Sequence, residues 1–437
     1  MPVKSDQKLI RILRLRVTDK PGHLGQIATL LGDMGANIGE ISIVAQGPDF
    51  LIREFSLQLD DEEHLGKILS GIEQLNGVQL DSIIDPVCLV HEGGKISMRS
   101  RVSLETIGEM RRIYTPGVAQ ICKLIEADAS QSRRYTGIAN SVAVVTNGTA
   151  ILGLGNIGPV AGMPVMEGKA VLFSELVGIS AVPILIDSTD INCIIETVKA
   201  IAPTFGAIQL EDIAAPECFE IEDRLQGELA IPVLHDDQHG TAVVVLAVLS
   251  TIAQRTRMQL SSCRVGILGL GAAGTGIAKL LLAYGVKEIL GTDLRDEAMQ
   301  RLEVSGGRRS TLSGVMAEAD VVVATTGKPG LINPDMVRQG QIILALSNPD
   351  PEIHPELALA RGALYAADGR TINNALAFPG LFRGALRAGA GSFTDKMKIA
   401  AAAAIAAQTR ADNLVPSILD RHTHQSVANA VEQAWFA

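Results

Sequence analysis

The sequence predicts an α/β protein of several domains, and three observations carry that reading. A first stretch runs through strand and helix signals in the order βαββαβ, a complete small ferredoxin-like module. A second, over about 96–259, interleaves short apolar runs with helical stretches, as parallel-sheet strands and their crossovers do. A third, from about 263, repeats that alternation and opens on a Gly-x-Gly-x-x-Gly fingerprint behind a strand. At 437 residues the chain exceeds one ordinary domain. We divide it at 1–88, 89–258 and 259–437.

The elements of the first module follow in order. Residues 9–17 (LIRILRLRV) alternate apolar and basic side chains, a half-buried strand. The turn Asp19-Lys20-Pro21-Gly22 leads to a helix over 24–34, closed by Gly35. Strands follow at 38–45 and 51–59 around Gly47-Pro48, then a helix at 62–75 and a strand at 78–84. Residues 85–95 read as a linker. In the second segment strands are expected at 142–146, 181–186, 207–210 and 231–234. Helices are expected at 167–177, 191–200 and 241–253.

Composition narrows the function. Apolar residues make up 47% and charged residues 20%, enough to build cores, and with only 3% aromatics those cores are aliphatic. The formal charge of −10, without like-charge blocks, argues against nucleic acid or an anionic membrane as the main partner. The longest apolar stretch, 241–253, is too short to cross a bilayer. MPVKSDQKLI lacks the apolar run of a signal peptide. Cys88, Cys122, Cys193, Cys218 and Cys263 are scattered, as reduced thiols of a cytoplasmic protein are.

Gly-x-Gly-x-x-Gly occurs twice. Gly269, Gly271 and Gly274 follow a strand at 264–268 and open a helix at Ala272-Ala273. A second strand, 288–292, then ends in Asp293, where a carboxylate would bond a ribose 2′-hydroxyl. The pyrophosphate would lie on the helix N-terminus. Asp293 favours NAD. Arg295, Arg308 and Arg309 lie close by, so NADP stays open. The other copy, Gly153, Gly155 and Gly158, runs into Pro159, Gly162 and Pro164. We expect no helix to start at its third glycine and read it as a tight turn shaping the active site.

Two acidic pairs end strands. Glu211-Asp212 follows 207–210, and Asp236-Asp237 follows 231–234. Ligands of open α/β sheets sit outside the carboxyl ends of strands. Both members of the first pair can face one ion only if the strand has ended there. Carboxylates without a Cys/His cluster suit Mn²⁺ or Mg²⁺. The competing reading makes Asp236 or Asp237 the cap of a helix starting near Thr241. His235 and His239 read as structural.

Two resemblances follow from these residues. Asp19-Lys20-Pro21-Gly22-His23-Leu24-Gly25 with Gly35-Ala36-Asn37-Ile38 resembles an ACT domain, a regulatory module that binds small metabolites, often amino acids, and pairs its sheets edge to edge. Between about 95 and 410 the chain resembles malic enzymes. The stretches are Tyr114-Thr115-Pro116-Gly117, Asn147-Gly148-Thr149-Ala150 through Asn156, Met166-Glu167-Gly168-Lys169-Ala170, Leu210-Glu211-Asp212-Ile213, His235 through Ala242, Ser347-Asn348-Pro349, Asn373-Asn374 and Phe378-Pro379-Gly380.

The malic enzyme resemblance implies oxidative decarboxylation of L-malate to pyruvate and CO₂ with reduction of NAD(P). Glu211, Asp212 and Asp237 would hold the divalent ion, a Lewis acid toward the substrate. Lys169 would be the general base, positioned by Asp236, and Tyr114 the acid. Lysine's ordinary pKa, ~10.4, means that Lys169 needs desolvation or nearby positive charge to act as a base. Asn348 and Asn374 would bind substrate carboxylate or cofactor. Larger family members carry an arginine near Ala150. Here Thr149-Ala150 stands instead, leaving Arg111 and Arg112 as candidates to anchor the substrate. A homodimer or higher homo-oligomer is expected. An oxaloacetate decarboxylase or a malolactic-type enzyme on the same scaffold is the alternative, and a non-catalytic amino-acid sensor is the rival from another class.

Overall fold

The computed structural model describes residues 8–151, 153–411 and 413–437, so Leu152 of the first glycine stretch lies outside them. The chain forms two compact units, Met1–Ser97 and Met98–Ala437.

The first unit comprises β1 (Leu9–Thr18), α1 (His23–Asp33), β2 (Asn37–Gln46), β3 (Phe50–Leu59), α2 (Glu62–Ile72), β4 (Val78–Ile84) and a short α3 (Pro86–His91). The alternation in β1 sends Leu13, Leu15 and Val17 into the core, with Ile27, Leu31, Phe55 and Ile68 against them. Arg14 points away and pairs across the strand with Glu54 at 2.6 Å. The sheet is antiparallel in the order β2-β3-β1-β4. The expected βαββαβ order is observed, and α3 falls inside the stretch read as a linker.

The second unit opens with small helices, α4 (Ile107–Ile113), α5 (Val118–Ala127) and α6 (Ser132–Tyr135). A parallel sheet of order β6-β5-β7-β8 follows, built from β5 (Ser141–Thr146), β6 (Ser180–Leu185), β7 (Ala207–Leu210) and β8 (Val233–His235). Its helices are α7 (Pro159–Val177), α8 (Ile191–Ile201), α9 (Glu217–Glu228) and α10 (Asp236–Thr256).

Three expectations need correcting here. A helix does start at the third glycine of the 153–158 motif. Gly158 is the N-cap and Pro159 the first helical residue, a position where proline's fixed φ suits the helix and its missing N–H costs nothing. Next, α10 starts at Asp236 rather than near Thr241, with His235 as N-cap, so Asp236 and Asp237 form its first turn instead of capping it. Finally, α9 was not expected; its apolar positions are few and its acids many.

The rest of the unit is a six-stranded parallel sheet of order β11-β10-β9-β12-β13-β14, the doubly wound dinucleotide-binding order. Its strands are β9 (Arg264–Leu268), β10 (Glu288–Thr292), β11 (Arg308–Arg309), β12 (Val321–Ala324), β13 (Ile342–Ala345) and β14 (Tyr365–Asp368). Between them lie α11 (Ala272–Tyr284), α12 (Asp296–Val304), α13 (Leu312–Glu318) and α14 (Pro355–Ala360). The chain ends in α15 (Phe378–Ala388), α16 (Asp395–Ala407) and α17 (Arg421–Phe436).

Helix α10 binds the two sheets into one core. Val243 to Leu249 are all buried beside Val142 and Val144 of β5 and Val265 and Ile267 of β9. Each such side chain contributes roughly 1.5–3 kcal/mol by burial. Helices α10 and α11 approach so closely that a Cβ on Gly276 would stand 2.3 Å from the Gln238 carbonyl oxygen. No helix among the described residues is long and apolar enough to cross a membrane.

Candidate active site

The acidic pairs meet at the carboxyl edge of the first sheet. β7 ends at Leu210, and Asp212 takes a left-handed φ of 53°, which turns the pair out of strand alternation. Glu211, Asp212 and Asp237 each present an oxygen within 4.8 Å of the others. Asp237 accepts the Asp212 backbone N–H at 3.0 Å. The Asp212 carbonyl accepts the Ala150 N–H at 3.0 Å, and Thr149 Oγ1 accepts that of Ala214 at 2.9 Å. Thr149-Ala150 therefore braces the acidic turn.

Lys169, on α7, enters this cluster from the side. Its Nζ lies 2.6 Å from Asp236 Oδ2, 3.0 Å from Glu211 Oε1 and 4.5 Å from the centre of the Phe378 ring. The Phe378 ring packs edge-on to Phe173, one turn beyond Lys169, at 4.9 Å. Burial presses the Lys169 pKa down, but Asp236 and Glu211 outweigh it, and the net shift is upward. Glu211 moves well above the ordinary range, first through burial and then through Asp236, Asp237 and Asp212, with Lys169 opposing. Asp236 is raised by burial against the pull of Lys169. Its Oδ1 is buried without a hydrogen-bond partner among the described residues. The Lys169 ammonium thus faces the carboxyl groups of Asp236 and Glu211, with Asp237 acting on it as a further charge. The cluster's three donors are all carboxylate oxygens, a set that fits a hard divalent cation, and His235 Nε2 stands 3.5 Å from Asp237 Oδ2.

The dinucleotide fingerprint is formed as expected. Gly269 has φ of 86°, and a Cβ on Gly274 would fall 1.9 Å from the Gly269 carbonyl oxygen. Nothing stands within 4 Å of a Cβ on Gly271, the N-cap of α11. Gly269, Gly271 and Asp293 line a cavity of about 530 Å³ with Arg295, Thr325 and Lys328. Asp293 Oδ2 accepts the Leu270 N–H at 2.7 Å and Oδ1 the Arg295 N–H at 2.9 Å. Burial opposes its ionisation, but these donors and the Arg295 guanidinium hold its pKa below the ordinary value. Arg308 pairs with Glu318 and Arg309 with Glu303. Arg295, 45% exposed, borders the cavity.

Other expected residues divide. Asn348 reaches the glycine turn: a Cβ on Gly153 would lie 2.9 Å from the Asn348 carbonyl oxygen. Asn374 packs on the first turn of α10, where a Cβ on Gly240 would meet both Asp236 Oδ1 and Asn374 Cβ. Tyr114, by contrast, ends α4 at 70% exposure, and no hydrogen bond joins it to the carboxylates among the described residues. Arg111 and Arg112 are exposed beside it.

Two buried carboxylates went unnoticed in the sequence. Glu352 accepts from Thr326 and Ser347, clamping the loops after β12 and β13. Glu222 lies under the first turn of α10. Glu222 sits in a stretch without a motif and Glu352 three residues beyond Ser347-Asn348-Pro349, and each draws partners from another loop or helix, so spacing offered no signal.

In the second unit, fold and site define a two-sheet α/β enzyme body with a dinucleotide cleft and an oxygen-rich acidic centre. The family description "Malic enzyme, N-terminal domain" matches residues 94–193 and 188–226, "ACT domain" residues 10–80, and "D-isomer specific 2-hydroxyacid dehydrogenase, NAD binding domain" residues 246–330. The chain is 52% identical to NAD-dependent malic enzyme 1 of Bacillus subtilis (strain 168), over 98% of each chain. It is 43% identical to that organism's bifunctional malic/malolactic enzyme, over 78% of this chain and 90% of the relative. The malic enzyme structure from Pyrococcus horikoshii Ot3 superimposes with a TM-score of 0.75 at 41% identity, covering 78% of this chain and 87% of that one. The chain belongs to the malic enzyme family, with an ACT domain at its N-terminal end.

Proposed function

We propose that the protein oxidises and decarboxylates L-malate to pyruvate and CO₂ while reducing NAD. The observation that carries this reading is Lys169 held between Asp236 and Glu211 beside the three-oxygen cluster. Glu211, Asp212 and Asp237 would hold Mn²⁺ or Mg²⁺, which supplies Lewis-acid stabilisation of negative charge on the substrate oxygens when bound.

The remaining roles fall to the chain. Lys169 would take the hydroxyl proton of malate, and bound NAD would supply the acceptor for the hydride on C2. In the bare cluster Lys169 stays an ammonium, so the base form requires the neighbouring negative charge to be neutralised. Asp236 fixes its Nζ. Once the C3–CO₂ bond has broken, Tyr114 protonates C3. The loop at Gly269, Gly271, Ala272, Ala273 and Gly274 receives the pyrophosphate, Asp293 the adenosine ribose, and Asn348 and Asn374 the substrate or nicotinamide end.

We take residues 1–88 as a regulatory ACT domain for a small metabolite or amino acid, 89–258 as the catalytic domain and 259–437 as the NAD domain. We infer a homo-oligomer, because α4 and α5 bury no side chain and leave Ile107, Ile113 and Tyr114 exposed. The free thiols suit a cytoplasmic protein.

The test is absorbance of reduced nicotinamide with L-malate, Mn²⁺ and NAD or NADP, with pyruvate assayed in the same tube. Stoichiometric reduced cofactor and pyruvate, both abolished by a chelator, are expected. The bifunctional relative favours a second reading, in which CO₂ and lactate form without net reduced cofactor.

A further inference from the structure

Glu222 belongs to α9 and is 3% exposed. Three groups in the segment that opens α10 donate to its carboxylate. They are the His235 backbone N–H at 2.7 Å, Gln238 Nε2 at 2.8 Å and His239 Nε2 at 3.1 Å. The other nitrogen of His239, Nδ1, stands 3.3 Å from Lys398 Nζ. An ammonium only donates, so Nδ1 accepts, and Nε2 carries the proton given to Glu222. Lys398 is held in turn by Asp395 at 2.9 Å.

The geometry of α10 gives this arrangement a consequence. A helix leaves its first N–H groups without intrahelical partners, and the His235 side chain makes no capping bond. Glu222 supplies an acceptor for this helix start from a different helix. The same first turn carries two neighbouring carboxylates with different tasks: Asp236 reaches Lys169, and Asp237 reaches the Asp212 N–H. A small rotation of that turn would move Asp237 away from Glu211 and Asp212 and spoil Asp236's approach to Lys169. Burial alone would disfavour a charged Glu222, yet the proton on His239 Nε2 and the His235 N–H hold its carboxyl below the ordinary range.

We propose that Glu222 is a positioning residue for the divalent-cation centre: through His235, Gln238 and His239 it fixes the first turn of α10, and with it the placement of Asp237 against Glu211 and Asp212. The inference rests on the cation reading of that cluster.

The test is direct Mn²⁺ binding, by electron paramagnetic resonance without malate, with NAD affinity and Tm measured on the same samples. Glu222→Gln keeps one acceptor oxygen but turns an amide toward groups that donate. It should weaken Mn²⁺ about 10-fold, and Glu222→Ala about 100-fold, the range for partners of metal ligands. NAD affinity should stay within about twofold. Gln238→Leu, which removes a single donor, should weaken Mn²⁺ by a few-fold and carries the test if the Glu222 variants do not fold. Unchanged Mn²⁺ affinity in folded variants, whatever their Tm, would overturn the proposal. So would equal losses of Mn²⁺ and NAD affinity, which mean general damage. A wild-type protein that takes up no Mn²⁺ would bring down the cation reading itself, and this inference with it.

Discussion

The two Gly-x-Gly-x-x-Gly segments share a spelling and a strand–turn–helix context, yet they are built differently. In the 269–274 copy only Gly269 has a positive φ, and Gly274 is glycine because the helix packs onto the Gly269 carbonyl. Gly271 is left facing open space at the N-cap of α11, where the first N–H groups of a helix suit a phosphate. In the 153–158 copy all three glycines have φ between 76° and 81°. The backbone folds back on itself, with the Leu154 N–H bonded to Ile151 O at 2.6 Å, and proline then removes a donor from the start of α7. The first copy leaves donors free for a ligand. The second uses its backbone to launch α7, the helix that delivers Lys169.

That contrast can be broken chemically. Lys169→Met should lower kcat by about 10³-fold, within the range for loss of a general base, with NAD affinity unchanged. Its removal also strips the cation from Glu211 and Asp236, so Tm should fall. Retention of kcat within tenfold would remove Lys169 from the chemistry. The next largest effects should come from glycine substitutions. Gly274→Ala puts a methyl into the Gly269 carbonyl, and Gly148→Ala puts one 2.2 Å from the Gly158 carbonyl carbon at a φ of 70°. Each should cost about 3 kcal/mol or more locally, roughly 100-fold in affinity. The first should weaken NAD binding by that factor and spare Mn²⁺; the second should do the reverse. Loss of both ligands in either variant would mean that the two segments are not separable.

Much of this arrangement was legible in the sequence. Strands β1, β7 and β9 announced themselves by alternation or short apolar runs, and Asp293 by its place after β10. The acidic pairs were visible because they end strands. Helix α9 was not visible, since ECFEIEDRLQGE carries few apolar residues. Glu222 shares that fate, because its partners are a backbone N–H and side chains brought to it only by tertiary packing. Tyr114 was legible as a motif, but its exposure was not. Sequence gives residue type and spacing, whereas exposure depends on what packs against the surface.

Titration should separate the two sites more gently. The Glu211 pKa is raised by burial and by its acidic neighbours, whereas that of Asp293 is lowered by its donors. A group with a raised pKa takes up a proton while the pH is still above the ordinary carboxyl range, and a proton competes with a cation. Mn²⁺ affinity should therefore fall on acidification before ordinary carboxyls titrate, by about tenfold per pH unit for each proton displaced. Asp293 stays ionised across the same range, so NAD affinity should hold level. Parallel pH profiles for the two ligands would contradict this assignment of charge.

The smallest effect concerns which dinucleotide enters the 269–274 site. Arg308 and Arg309 are committed to glutamates, so of the three arginines Arg295 is the one that borders the cavity, and Asp293 holds it by both its backbone N–H and its guanidinium. Asp293→Asn keeps an acceptor for the Leu270 N–H, which a smaller residue would leave unpaired, but removes the charge that repels a 2′-phosphate. The guanidinium is then released to pair with that phosphate. The ratio of NAD to NADP efficiency should shift toward NADP by about tenfold, equivalent to about 1.4 kcal/mol. Adding Arg295→Leu should cancel most of the gain in NADP without restoring the original NAD efficiency, because the carboxylate that bonds the ribose is still missing. If Asp293→Asn left the ratio unchanged, the discrimination would lie elsewhere on the rim, and Lys328 across the cavity would be the next residue to replace.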